Sequence, residues 1–145
     1  MKLNLSIGQP KNLRNGYTNI DPFASQEDDS YQFDLHQLDC VDDSEAEEII
    51  ALNCITAYPY QEIDALFNHW FKKLKNGGTL TIDFFEIRKL AKDLVAYRIS
   101  LEEFNKVVHH CVVSMEEIKE KLVKSGFKIN TAKFIEHKGI IICQK

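Results

Sequence analysis

The sequence has no apolar run long enough to cross a membrane, and no charged amino-terminal region followed by an apolar one. Its apolar stretches are a few residues long, and Met1 to Leu5 already alternates like a strand. We therefore expect a soluble, cytoplasmic protein that is not exported and has no membrane partner.

Paired cysteines are also missing. The four cysteines are Cys40, Cys54, Cys111 and Cys143. No two of them form a C-x-x-C spacing, so the sequence signals neither a disulfide framework nor a zinc site. His109 and His110 precede Cys111, but adjacent side chains diverge on a helix or a strand. His36 and His69 are predicted to be surface or helix-face residues, and we predict no metal site.

Basic residues are absent between Arg14 and Lys72. The acidic residues of this window are Asp21, Glu27, Asp28, Asp29, Asp34, Asp39, Asp42, Asp43, Glu45, Glu47, Glu48, Glu62 and Asp64. The window therefore carries −13, which leaves +9 for the rest of a chain whose net charge is −4. The later basic residues are interspersed with acidic ones at helical spacing and form no basic face, so we expect no nucleic-acid partner.

The chain has 145 residues, of which 44% are hydrophobic and 28% charged, as is typical of one globular domain, which we place over residues 1–145. Strands are predicted over Lys2 to Ile7, Tyr17 to Ile20, Tyr31 to Leu35, Ile49 to Ile55, Thr79 to Phe84, Phe127 to Phe134 and Gly139 to Cys143. Helices are predicted over Tyr60 to Leu74, Glu86 to Ala96 and Leu101 to Val108, and from a capping box of Ser114 and Glu117 to Gly126. This order predicts an α/β sandwich with a mostly parallel central sheet, Leu80 to Phe84 near its middle, and an antiparallel C-terminal hairpin.

Candidate binding residues follow the predicted strands, because ligands of open parallel sheets bind at the carboxyl ends of the strands. They are Ser6, Gly8, Asp21, Asp34, Leu35 and Asn53. A small residue at the first turn lets the backbone approach a ligand, and a carboxylate after the second strand can accept both hydroxyls of a ribose. This layout is typical of a nucleoside site, although Asp21 before Pro22 is equally a turn former. If Asp21 only shapes that turn, its replacement by alanine should cost about 0.5–1 kcal/mol; if it binds ribose, folding should barely change.

Several strings resemble motifs of the class I S-adenosylmethionine-dependent methyltransferases, of the small type-11 kind, over nearly the whole chain. Residues 3–8 read L-N-L-S-I-G, similar to L-N-L-G-x-G, and residues 16–21 read G-Y-T-N-I-D, similar to G-[YW]-x-N-[IVL]-D. Asp34 and Leu35 with Leu38 resemble D-L-x-x-L. Residues 74–78, L-K-N-G-G, resemble L-K-P-G-G, and residues 122–127, L-V-K-S-G-F, resemble L-x-x-x-G-F.

This resemblance implies a Rossmann-like methyltransferase fold and S-adenosylmethionine as the cofactor. Ser6 and Gly8 would face the methionine end of the cofactor, Asp21 its ribose, and Asp34 with Leu35 its adenine. The resemblance implies transfer of a methyl group to an unidentified acceptor, such as a small molecule or a sugar, and it identifies no catalytic residue.

The chain departs from the family pattern in ways that keep two functions open. Ser6 replaces a glycine and adds a side chain where the backbone should approach the cofactor. The string from Asn53 to Tyr58 lacks the charged H-x-x-E-H-like residues found in relatives, and no helices precede the first strand. The chain is therefore either a methyltransferase or a degenerate, non-catalytic domain that serves as a binding or assembly module. Any acceptor site would be open, or completed by a second copy or a partner protein.

Overall fold

The computed structural model describes residues 1–108 and 110–145, which form a seven-stranded sheet flanked by helices. The strands are β1 Lys2–Leu5, β2 Thr18–Ile20, β3 Ala46–Ala51, β4 Leu74–Glu86, β5 Val112–Val113, β6 Lys128–Ile135 and β7 Lys138–Gln144. Their order is β2-β1-β3-β4-β7-β6, and the short β5 also pairs with β4. The first five strands are parallel, whereas β7 is antiparallel to both β4 and β6. The predicted fold is confirmed, including the central β4 and the terminal hairpin.

The helices are α1 Ile63–Lys73, α2 Ile87–Val95, α3 Leu101–Val108 and α4 Met115–Lys124. The apolar residues of α1 recur every three or four positions, so one side of the helix is buried. The capping box that starts α4 is present, because the Glu117 N–H donates to Ser114 Oγ and the Ser114 N–H donates to the Glu117 carboxylate. Both helices begin close to where their sequence patterns predict.

One face of the sheet forms the core. The in-register residues Leu3, Ile49, Leu80 and Cys143 are all buried there. They belong to one apolar cluster with the buried residues of α1 and α4, which shows that these two helices cover this face. The opposite face carries Asn4, Ile50, Thr81 and Ile142, which are in register across the same strands.

The strand predicted over Tyr31 to Leu35 is wrong. Tyr31 makes a single bridge to Ile20, and the chain then turns instead of extending. The turn forms because the Asp34 carboxylate accepts the His36 N–H at 2.8 Å and the Asp34 carbonyl accepts the Leu38 N–H at 2.9 Å. Leu35 and Leu38 are buried in this turn, whereas Tyr31 and Phe33 are exposed.

The strand predicted over Ile49 to Ile55 is shifted, because β3 begins at Ala46 and ends at Ala51. Asn53 adopts a left-handed backbone with φ of 56°, which ends the extended chain, and Ile55–Ala57 form a 3₁₀ turn. Cys54 and Ile55 are nevertheless buried. The apolar run is longer than the strand because the turn that follows the strand is buried as well.

The connections from β1 to β2 and from β2 to β3 are made of loops and turns. The sequence predicts this for the first connection, since it has too few residues for a crossover helix. Within residues 1–108 and 110–145, no helix has the length and apolar character that crossing a membrane requires.

Candidate functional site

The carboxyl ends of β1 and β2 bring together three of the predicted site residues, Ser6, Gly8 and Asp21. The Asp21 side chain is 0% exposed. Its Oδ2 accepts hydrogen bonds from Ser6 Oγ at 2.9 Å and from the Gln9 N–H at 2.8 Å. Its Oδ1 accepts from the Gly8 N–H at 3.1 Å and from the Phe23 N–H at 2.9 Å. The hydrogen bonds of the Asp21 carboxylate therefore connect the loop after β1 to the end of β2.

This hydrogen bonding uses the full capacity of the carboxylate, because its two oxygens offer about four lone-pair sites. A ribose diol would need two of them. The Ser6 side chain is 4% exposed and occupies the space beside Asp21. Gly8 has a φ of 68°, a backbone conformation in which glycine is unstrained, and this lets its N–H point at Asp21. In this arrangement the crevice does not fit the ribose of S-adenosylmethionine.

Two asparagines that the sequence reasoning did not single out hold the same loop from the other side. Asn4 Nδ2 donates to the Asn12 carbonyl and to Asn19 Oδ1, both at 2.8 Å. Asn19 Oδ1 also accepts the Arg14 N–H at 2.8 Å. Both asparagines lie within the strings that resemble the first two family motifs, and in this chain they organise the loop.

Asp34 and Leu35, which the resemblance places against adenine, lie in the turn after Tyr31. Asp34 is exposed and hydrogen-bonds its own turn. Leu35 is 0% exposed, and its carbonyl accepts the Trp70 Nε1–H at 2.8 Å. The Leu35 side chain is therefore a core residue, and its backbone is fixed to α1.

Asn53 lies at the carboxyl end of β3 within a polar cluster supplied by neighbouring strands. The Asn53 N–H donates to Asp83 Oδ1 at 2.6 Å, and Lys138 Nζ donates to Asn53 Oδ1 and to Asp83 Oδ2. Asp83 is only 6% exposed, and Lys138 Nζ also lies 5.0 Å from the centre of the Phe85 ring. The sequence predicts no charged groups in the string after β3, but tertiary pairing brings Asp83 and Lys138 to it.

A surface cavity of about 400 Å³ is lined by residues 56–60, which follow Asn53 in the chain, and by residues 110–112. Burial raises the pKa of the Tyr58 hydroxyl and of the Cys111 thiol, which both line it. Both groups are therefore protonated near neutral pH and are poor nucleophiles or bases. This cavity and four others, of about 240 to 500 Å³, are not lined by Ser6, Gly8 or Asp21.

The histidines discussed in the sequence analysis have different surroundings in the structure. His109 lies outside the described residues, and His110 packs against Phe85 with ring centres 5.5 Å apart. His36 and His69, in contrast, face each other with their Nδ1 atoms 3.1 Å apart. Nothing in the sequence pattern pairs these two histidines, since one lies in a turn and the other in the middle of α1.

No family model matches the sequence, and no curated protein matches it either. Solved structures, however, match it over almost its whole length, and several of them are named as S-adenosylmethionine-dependent methyltransferases. The chain has the Rossmann-like fold of class I methyltransferases.

Three neighbours represent this similarity. A SAM-dependent methyltransferase from Methanosarcina mazei is 17% identical with a TM-score of 0.66, over 99% of this chain and 92% of its own. A possible histamine N-methyltransferase from Thermotoga maritima is 13% identical with a TM-score of 0.64, over 99% and 82%. A Haloferax volcanii complex of the Trm112 methyltransferase activator and the putative methyltransferase gives 11% identity and a TM-score of 0.66, over 99% and 81%. At such identities the neighbours establish the fold.

Proposed function

We propose that this chain is a methyltransferase-fold domain that does not use the S-adenosylmethionine site and serves as a binding or assembly module. The observation that carries the proposal is the buried Asp21 carboxylate, which four groups of the chain already satisfy. The Haloferax neighbour gives an example of this fold in a protein complex. A protein is accordingly the partner that we propose.

Cofactor binding at Asp21 would require existing hydrogen bonds to its carboxylate to be broken. Two ribose hydroxyls would have to displace two of the four donors that bond the Asp21 carboxylate. Three of these donors, Ser6, Gly8 and Gln9, lie in the loop after β1. Each displaced donor, if left without a partner, costs about 1–3 kcal/mol, so two of them weaken binding roughly thirtyfold to twenty-thousandfold. Ser6 adds to this cost because its side chain lies where the family has only a glycine backbone.

The second candidate is an S-adenosylmethionine-dependent methyltransferase that acts on a small-molecule or sugar acceptor. The names of the structural neighbours and the order of the strings around β1 and β2 favour it. In this case the cofactor supplies the methyl group, and the protein chiefly aligns the acceptor. The pair of Asp83 and Lys138 is the charged group nearest to Asn53, and it would lie on the acceptor side of the site.

Calorimetric titration with S-adenosylmethionine and S-adenosylhomocysteine distinguishes the two candidates. We expect no measurable binding by the parent chain at millimolar ligand. A dissociation constant in the micromolar range would overturn the proposal and leave the methyltransferase. The variant Ser6→Gly restores the glycine of the family motif, and binding that appears only in this variant would identify Ser6 as the group that closes the site. Ser25→Gly is the matched control, because Ser25 also bonds an aspartate but lies in an exposed loop.

A further inference from the structure

His36 and His69 are 33 residues apart in the chain, and their imidazole rings meet at the surface of α1. The Nδ1 atoms are 3.1 Å apart, the ring centres are 4.8 Å apart and the ring planes are inclined by 67°. We propose that this pair binds a divalent transition-metal ion of the copper-to-zinc type through the two Nδ1 atoms, with water in the remaining positions. The proposal is independent of the cofactor site and of the proposed function.

The two distances agree with convergence on one ion. If both nitrogens point at a metal about 2.05 Å away, the angle at the metal is about 98° and the ring centres, each about 1.15 Å behind its nitrogen, lie about 4.8 Å apart. A straight N–H···N hydrogen bond between nitrogens at the same separation would hold the ring centres about 5.4 Å apart. The observed 4.8 Å matches the converging arrangement. An angle near 98° lies between the right angles of square-planar copper or nickel sites and the tetrahedral angle of zinc sites.

Both histidines are held by backbone that is already ordered, so little has to rearrange when an ion binds. His69 lies in the middle of α1. His36 follows Leu35, whose carbonyl accepts the Nε1–H of Trp70, the neighbour of His69. The His36 N–H is fixed in turn by the Asp34 carboxylate at 2.8 Å. These contacts hold the turn against the helix at the point where the two imidazoles face each other.

A metal ligand must be a neutral imidazole, because only the neutral ring offers its lone pair. The Tyr58 ring lies 6.2 Å from the His36 ring and carries no charge near neutral pH. Over the described residues no group of three or more histidine, cysteine or acidic side chains is positioned for a metal. The bound ion would therefore keep exchangeable water ligands.

The test is a titration of the chelator-treated chain with Zn²⁺ and with Cu²⁺ in a buffer that does not bind metals. We expect one ion per chain, weakened at least tenfold by either His36→Gln or His69→Gln, as loss of a ligand requires. The control is His137→Gln, which changes a histidine stacked on Phe85 instead. The electron paramagnetic resonance spectrum of the Cu²⁺ form should show coupling to two nitrogens. Zn²⁺ at a hundred times its dissociation constant should raise the Tm by about 5 °C or more.

Two results would overturn the proposal. One is the absence of one-to-one binding by the parent chain at millimolar metal. The other is a dissociation constant that stays unchanged in each of the single variants His36→Gln and His69→Gln, since the ion would then lie elsewhere in the chain. The spectrum of the parent chain decides the question even if a variant fails to fold, because a Cu²⁺ site coupled to fewer than two nitrogens would equally contradict it.

Discussion

Replacing Asp21 by alanine should destabilise the fold far more than its place in a turn suggests. The substitution removes a fully buried carboxylate and leaves four donors without their acceptor, those of Ser6, Gly8, Gln9 and Phe23. A hydrogen bond to a charged group contributes about 1.5–3 kcal/mol, and water entering the space left behind compensates part of the loss. We expect the free energy of unfolding to fall by about 3–5 kcal/mol. The sequence alone predicts at most about 1 kcal/mol.

Urea denaturation of the parent, of Asp21→Ala and of Asp21→Asn measures this loss. Asparagine keeps the shape and one acceptor oxygen, so its loss should be smaller than that of alanine. For a chain of this size a loss of 3–5 kcal/mol corresponds to a fall in Tm of roughly 10–16 °C. The matched control is Asp29→Ala, which removes an exposed aspartate from the following loop and should change stability by less than about 0.5 kcal/mol. A loss below 1 kcal/mol for Asp21→Ala would refute the structural role of the carboxylate.

Three further predictions concern other buried or titrating groups. Glu86 is 2% exposed and accepts a free N–H group from the first turn of both α2 and α4, so Glu86→Ala should lower the free energy of unfolding by about 2–4 kcal/mol in urea, and Glu86→Gln by less. Desolvation and His36 lower the pKa of His69 below 6.5 in the folded chain. The unfolded chain therefore binds a proton on this imidazole more tightly than the folded chain does. Stability should therefore fall as the pH drops below 6.5, and this component should be missing in a His69→Gln variant measured across the same pH range. Burial raises the pKa of Cys143 to about 12 and that of Cys54 further, so neither thiol should react with a disulfide reagent until the chain is unfolded.

Local patterns in the sequence were sufficient for most of the elements. The apolar spacing of α1, the capping box of α4 and the alternation of the terminal hairpin each depend on residues close together in the chain. The order of these elements then predicts a parallel sheet with an antiparallel edge, because few connections between them are physically allowed. The same argument places Ser6, Gly8 and Asp21 at one edge of the sheet, and the structure brings these three residues into contact.

Tertiary structure decided what those residues do. Whether Asp21 faces a ligand or the chain depends on where the loop after β1 packs, and its four donors come from both β1 and β2 connections. The pairing of Asp83 with Lys138 joins residues 55 positions apart, and that of His36 with His69 joins residues 33 positions apart. No sequence period relates such positions. Their contacts arise only when strands and turns pack together, because side-chain neighbours across a sheet or against a helix are set by register and packing rather than by spacing along the chain.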